Sequence, residues 1–185
     1  MQIKFPYTIS NGQGELIRFL EIIPEPDGDK LIGENEVAPD AGPPMHVHWL
    51  QDEGFTVVSG RIGYQLMGGP EQYASAGESI VFKRGVAHRF WNAGKETLRC
   101  KAWVKPADNF VFYITSLFNS VQKTGTGRPS LWDSSFLLQR YRTEFDMPGL
   151  PFVLRKFLIP LVYFTGKLLG KFRHFNDAPA PVKAR

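Results

Sequence analysis

The sequence predicts an all-β domain over residues 1–105, an antiparallel sandwich or barrel, followed by an α-helical extension over residues 106–175. Three observations carry this. Up to residue 105, short runs rich in β-branched and aromatic residues recur at intervals of about ten. Turn-forming pairs separate them, among them Asn11-Gly12, Asp27-Gly28, Ser59-Gly60 and Ala93-Gly94. No run before Pro106 is long enough for the crossover helices of a parallel sheet.

Taken in order, the expected strands are Glu15–Ile23, Lys30–Val37, 53–59, 61–67, 77–82, His88–Asn92 and 97–104. After Pro106 the texture changes. Asp108 can cap a helix over 109–121, the Lys123-Thr-Gly-Thr-Gly-Arg-Pro129 linker ends it, and a second helix is expected over 131–145. A Pro148-Gly149-Leu150-Pro151 break then precedes a third helical stretch over 152–175, which Pro160 should break or kink. Residues 176–185 are rich in Pro and Ala and are expected to be a flexible tail.

A chain of 185 residues can bury its own core without disulfides, and one cysteine cannot form an internal one. Cys100 lies in an alternating run, which predicts a packed thiol rather than a nucleophile. The formal charge of +4 is uneven: residues 150–185 carry seven Lys or Arg and a single acid, which leaves the preceding 149 residues at −2. A mildly acidic body with a basic tail argues against nucleic-acid binding, which needs a basic face on the folded domain. The amino terminus, Met1-Gln2-Ile3-Lys4-Phe5-Pro6, has neither a basic leader nor an apolar core, so a cytoplasmic protein is expected.

The chain has four histidines, and three fall in two short β segments: His46 and His48 in Met45-His46-Val47-His48-Trp49, and His88 in Gly85-Val86-Ala87-His88-Arg89. Spacing of i, i+2 on a strand points two imidazoles to one face. Glu53, five residues on, is a carboxylate that can complete a chelate, with His88 a fourth ligand from another hairpin. Asp52 competes with Glu53, but alternation puts the two on opposite faces. Imidazoles with one carboxylate suit Zn, Fe, Mn, Ni or Cu, whereas Ca and Mg prefer oxygen shells. His174, in the basic tail, reads as a solvated side chain.

These segments resemble the two motifs of the cupin superfamily. Residues 42–60, with His46, His48, Glu53 and Gly60, are similar to G-x5-H-x-H-x4-E-x6-G; residues 77–92, with Gly77, Gly85, His88 and Asn92, are similar to G-x5-P-x-G-x2-H-x3-N. The opening glycine falls on Asp40, with Gly42 the nearest glycine, and the proline falls on Lys83; both are turn positions rather than ligands. The resemblance implies a cupin jelly-roll barrel, a double-stranded β-helix, that holds one divalent transition metal ion (Fe, Mn, Zn or Ni) through His46, His48, Glu53 and His88. It implies dioxygenase-like or isomerase chemistry on a small organic molecule, with Glu53 a candidate to move protons. The alternative is a sensor or carrier that holds a small molecule beside a structural metal.

Strand parity adds inward-facing aromatics, so Phe55, Tyr64, Phe90 and Asn92 are expected to line the pocket, with Trp91 on the opposite face. In the extension, residues 151–175 mix apolar side chains with Lys and Arg, and the longest run free of cations is ten residues, 157–166. That is too short to span a bilayer. Packing on the barrel or in a homodimer is the preferred expectation, ahead of contact with a membrane surface.

Overall fold

The computed structural model describes residues 3–183; Met1, Gln2, Ala184 and Arg185, on which the amino-terminal and tail readings partly fall, lie outside the described residues. Ten strands precede the helices: β1 (Tyr7–Ser10), β2 (Glu15–Ile23), β3 (Lys30–Val37), β4 (Val47–His48), β5 (Asp52–Ser59), β6 (Arg61–Leu66), β7 (Glu71–Ser75), β8 (Ser79–Phe82), β9 (His88–Asn92) and β10 (Leu98–Lys105). A six-stranded antiparallel sheet, in the order β1-β2-β3-β10-β5-β8, faces a three-stranded sheet, β7-β6-β9. Between them lies a core of Val37, Phe55, Val57, Ile62, Phe82, Phe90, Leu98 and Cys100.

This is the double-stranded β-helix architecture with two corrections. Among the described residues the ladders do not run round the whole circumference, so the barrel is open. The all-β description also stops at residue 105, where α1 (Phe110–Thr124), α2 (Leu131–Arg140) and α3 (Ile159–Leu168) take over.

Each helix shows where local rules hold and where packing overrides them. Asn109, not Asp108, is the N-cap of α1, and its side chain makes no capping bond; Gly125, at φ 64°, ends the helix with its N–H on the carbonyls of Val121 and Gln122. Ser130 caps α2 by accepting from the Asp133 N–H. That helix stops at Arg140 rather than 145, because Phe145–Asp146 leaves it to form β11, paired with β4. At Pro160 the break takes a specific form. Leu154–Leu158 is a π-helical turn running into α3. Widening the ladder there accommodates a ring that has no N–H to donate.

A second core joins the extension to the barrel: Phe19, Leu31 and Val104 pack with Phe110, Tyr113, Phe136, Leu137, Tyr141 and Phe145. The described part of the tail is hydrogen-bonded to the extension. Asn109 Nδ2 donates to the Ala180 carbonyl at 2.9 Å, the Tyr141 hydroxyl to that of Pro179 at 2.8 Å, and the Val182 N–H to Glu144 Oε1 at 2.9 Å. A Pro- and Ala-rich segment outside any helix or sheet keeps its carbonyls free, and polar side chains near the ends of α1 and α2 use them.

Candidate metal centre

The site is built where β4, β5 and β9 converge. His46 and His88 stand opposite each other in an antiparallel bridge, with the His46 N–H on the His88 carbonyl at 2.9 Å and the reverse bond at 2.8 Å. Two residues on, His48 lies in β4, opposite Phe145 of β11. Glu53, in β5 between β10 and the edge strand β8, is paired with Val104 on one side and Phe82 on the other. The outcome is a cluster in which one ligand atom from each of His46, His48, Glu53 and His88 lies within 4.8 Å of every other. His48, Glu53 and His88 are buried, and His46 is partly open.

The outer edges of two rings are fixed by backbone. His46 Nδ1–H donates to the Pro44 carbonyl and His88 Nδ1–H to that of Val86, each at 2.9 Å. Such bonds orient both rings and aim their Nε2 atoms into the cluster. His88 Nε2 is 3.1 Å from Glu53 Oε2. His48 Nδ1 is buried with no hydrogen-bond partner in the structure, a deficit that buried polar atoms rarely carry.

Burial pushes the imidazole of His48 down to about 4, and burial together with His48 and His88 lowers that of His46, so both are neutral near pH 7. Burial opposes the charge on Glu53, but the neighbouring imidazoles, His48 foremost, outweigh it and hold the carboxyl below its usual range. Neutral imidazoles around one carboxylate are a donor set that fits a divalent transition metal.

The residues around this cluster include some that sequence reasoning missed. Phe82 stacks on His88 with centroids 4.0 Å apart and planes 9° from parallel. Phe110 and Phe145, both from the helical extension, lie 5.5 Å from the His48 ring. Phe82 belongs to an expected strand, but its place opposite Glu53 depends on a pairing across 29 residues that spacing alone does not reveal.

The expected pocket lining is placed differently. Phe55 and Phe90 pack on each other at 4.8 Å in the barrel core, and Tyr64, half-buried, donates its hydroxyl to Gln72 Oε1. Asn92 is wholly buried and structural: Nδ2 donates to the carbonyls of Val37 and Glu96, and Oδ1 accepts from the Gly94 N–H. The cavity that reaches Glu53 lies instead on the six-stranded sheet, lined by Phe19, Leu31, Asn35, Trp103 and Phe110 among others, with a volume of about 30 Å³. Aromatic side chains on inward parity filled the core first, because a barrel this narrow has little room left once they pack.

Other residues take the faces expected of them. Asp52 points outward and accepts from the Arg84 N–H at 2.8 Å, with the Arg84 guanidinium and Lys83 beside it. That cluster holds the turn where Lys83 replaces the motif proline. Asp40, at the motif's opening glycine position, has φ 62°, a left-handed conformation glycine adopts at little cost. Trp91 covers Gly63 and receives the Arg89 guanidinium 4.9 Å from its centroid. His174 is exposed, as expected of a solvated side chain, and also has a partner: its Nε2 is 2.9 Å from Asp133 Oδ1, whose other oxygen accepts from the Ser120 hydroxyl at 2.6 Å.

Residues 33–105 match the family model described as the cupin domain. A probable oxidoreductase, virH, of Hypocrea virens is 31% identical over 109 residues, 54% of this chain and 48% of that protein. The oxidoreductase iacF of Pestalotiopsis fici is 33% identical over 96 residues, 46% of this chain and 47% of that protein. The chain therefore spans about half the length of these curated relatives. Among solved structures, the cupin domain of Schizosaccharomyces pombe Cnp3 is 17% identical, with a TM-score of 0.42, over 52% of this chain and 70% of that one.

Proposed function

We infer, for a chain whose residues 33–105 form a cupin domain, that His46, His48, Glu53 and His88 hold one divalent transition metal ion and that the protein is an oxidoreductase acting on a small organic molecule. The observation that carries the reading is the convergence of four donor atoms within 4.8 Å, with the far nitrogens of two rings already engaged by backbone carbonyls. The names of the two curated relatives support the reaction class.

When bound, such an ion supplies a Lewis acid or a redox centre. The protein's own contribution is positional and electrostatic. The carbonyls of Pro44 and Val86 orient two imidazoles, and the Phe82 ring fixes the plane of His88. Burial keeps His46 and His48 unprotonated, so protons do not compete for their lone pairs. Glu53 brings one negative charge into a wall of Phe82, Phe110 and Phe145, and that wall keeps bulk water from the cluster. The partly open edge at His46 is the side from which a small molecule reaches the site.

A second reading, a carrier or sensor without turnover, is favoured by one observation. The cavity beside Glu53, about 30 Å³, holds roughly one water. Elemental analysis of the wild type beside His46→Ala and His88→Ala tests the metal; the same sub-stoichiometric content in all three would remove the centre. Oxygen-electrode traces with small organic acids and phenols then separate the two readings. Metal-dependent uptake that His88→Ala abolishes supports the oxidoreductase, and binding with no turnover supports the carrier.

A further inference from the structure

We propose that the outer face of α3 and of the π-helical turn before it docks on an anionic membrane surface. The sequence singled this stretch out for its mixture of apolar and basic residues, and the structure shows that only one of its faces is packed. Gly166 is buried so closely against Phe172 and Trp132 that an added Cβ would lie 2.5 and 3.0 Å from their rings, and Tyr163 stacks on Phe172 at 5.5 Å. These contacts fix the rotation of the helix. They turn Val153, Phe157, Leu161, Phe164 and Leu168 outward, at spacings of four, four, three and four, so the five form a single stripe. Phe157 is 64% exposed, Phe164 61% and Leu168 86%. At 1.5 Å per residue the stripe is about 23 Å long. Contiguous apolar surface of this extent marks an interaction site.

Charge selects the partner. From Met147 to Asn176 the sequence contains no Asp or Glu but five Lys or Arg. Arg155 is taken by Asp146, but Lys156, Lys167, Lys171 and Arg173 have no carboxylate partner among the described residues. Lys156 and Lys167 each precede a member of the stripe, Phe157 and Leu168, which sets both on the same flank. A second copy of the chain fits this face poorly, since a two-fold contact would press two cationic surfaces together. An anionic bilayer offers what both halves of the face need: headgroups for the cations and acyl chains for the apolar stripe. No helix of the described residues is long and apolar enough to cross a membrane, so the contact lies in the plane of the surface.

The test is co-sedimentation of the full chain with phosphatidylcholine vesicles, with and without phosphatidylserine, at low and high salt. Binding is expected to the anionic vesicles only, to weaken with salt, and to fall by about fivefold for each cation neutralised in Lys156→Gln and Lys167→Gln. Leu161→Glu with Phe164→Glu should abolish it while leaving the melting curve unchanged, because both side chains already face water. The proposal is overturned if the protein ignores anionic vesicles, or binds neutral and anionic ones alike. It is equally overturned if sedimentation equilibrium shows a dimer that these two glutamates disperse.

Discussion

The coupling between His88 and Glu53 makes the most demanding prediction about this site. His88 is 1% exposed, stacks on Phe82, and stands 3.1 Å from the Glu53 carboxylate, which has little other access to solvent. His88→Ala opens a cavity and leaves a buried carboxylate without its partner. Breaking a buried pair in this way costs about 3–5 kcal/mol, or a fall of about 10 °C in Tm for a chain of this size. Glu53→Gln removes the charge but keeps an oxygen that accepts from His88, and should cost about 1–2 kcal/mol. In the double variant the cavity remains but no charge is stranded. Its loss should therefore fall short of the sum of the two by at least about 1.5 kcal/mol. Urea denaturation of chelator-treated protein at neutral pH measures all four corners of the cycle, free of any contribution from bound metal. Additivity within about 0.5 kcal/mol would refute the reasoning, since the two side chains would then not share an electrostatic environment.

Three further predictions concern the frame around the site. Asp40→Gly should raise stability by about 1 kcal/mol in denaturant titrations, because φ 62° strains a side chain that glycine lacks; a loss would mean that the Asp40 side chain holds the turn. Cys100 is buried and burial pushes its thiol up to about 12, so Ellman's reagent should leave it untouched in the native protein near pH 8 and label it once denaturant is added; rapid native labelling would contradict the packing. Burial raises the Glu15 carboxyl to about 7 from an ordinary 4.5, against a hydrogen bond from Asn11, so the folded state holds an extra proton between those values. The stability that Glu15 contributes is fully present below 4.5 and is lost as pH rises through 7, by roughly 1–2 kcal/mol for this partly exposed group, and Glu15→Gln should flatten the slope between those values; an unchanged slope would assign it to other groups.

Much of the barrel was legible because its signals are local. Alternation and turn chemistry placed β2, β3 and β9 at their observed limits, and the histidine and glutamate spacing named the four residues that converge. The strands β1, β4, β7 and β11 were not anticipated: each has two to five residues, and none carries the His88 motif and adjacent aromatics that marked the equally short β9. Phe55, Phe90 and Asn92 show the limit of parity: it identified side chains that face inward, but inward positions serve the core as readily as a cavity.

What the sequence determined by itself, then, is which residues share a face: His46 with His48, Glu53 with Phe55, His88 with Phe90. The tertiary structure decided which faces meet. It set His88 opposite His46 and Glu53 opposite Phe82, and it brought Phe110 and Phe145 from the extension against His48. It also left one side of α3 packed and the other bare. The reason is that a strand's two-residue period and a helix's 3.6-residue period orient neighbours along the chain. Contacts across 29, 42 or 97 residues depend on how apolar surfaces fit together once the chain has collapsed.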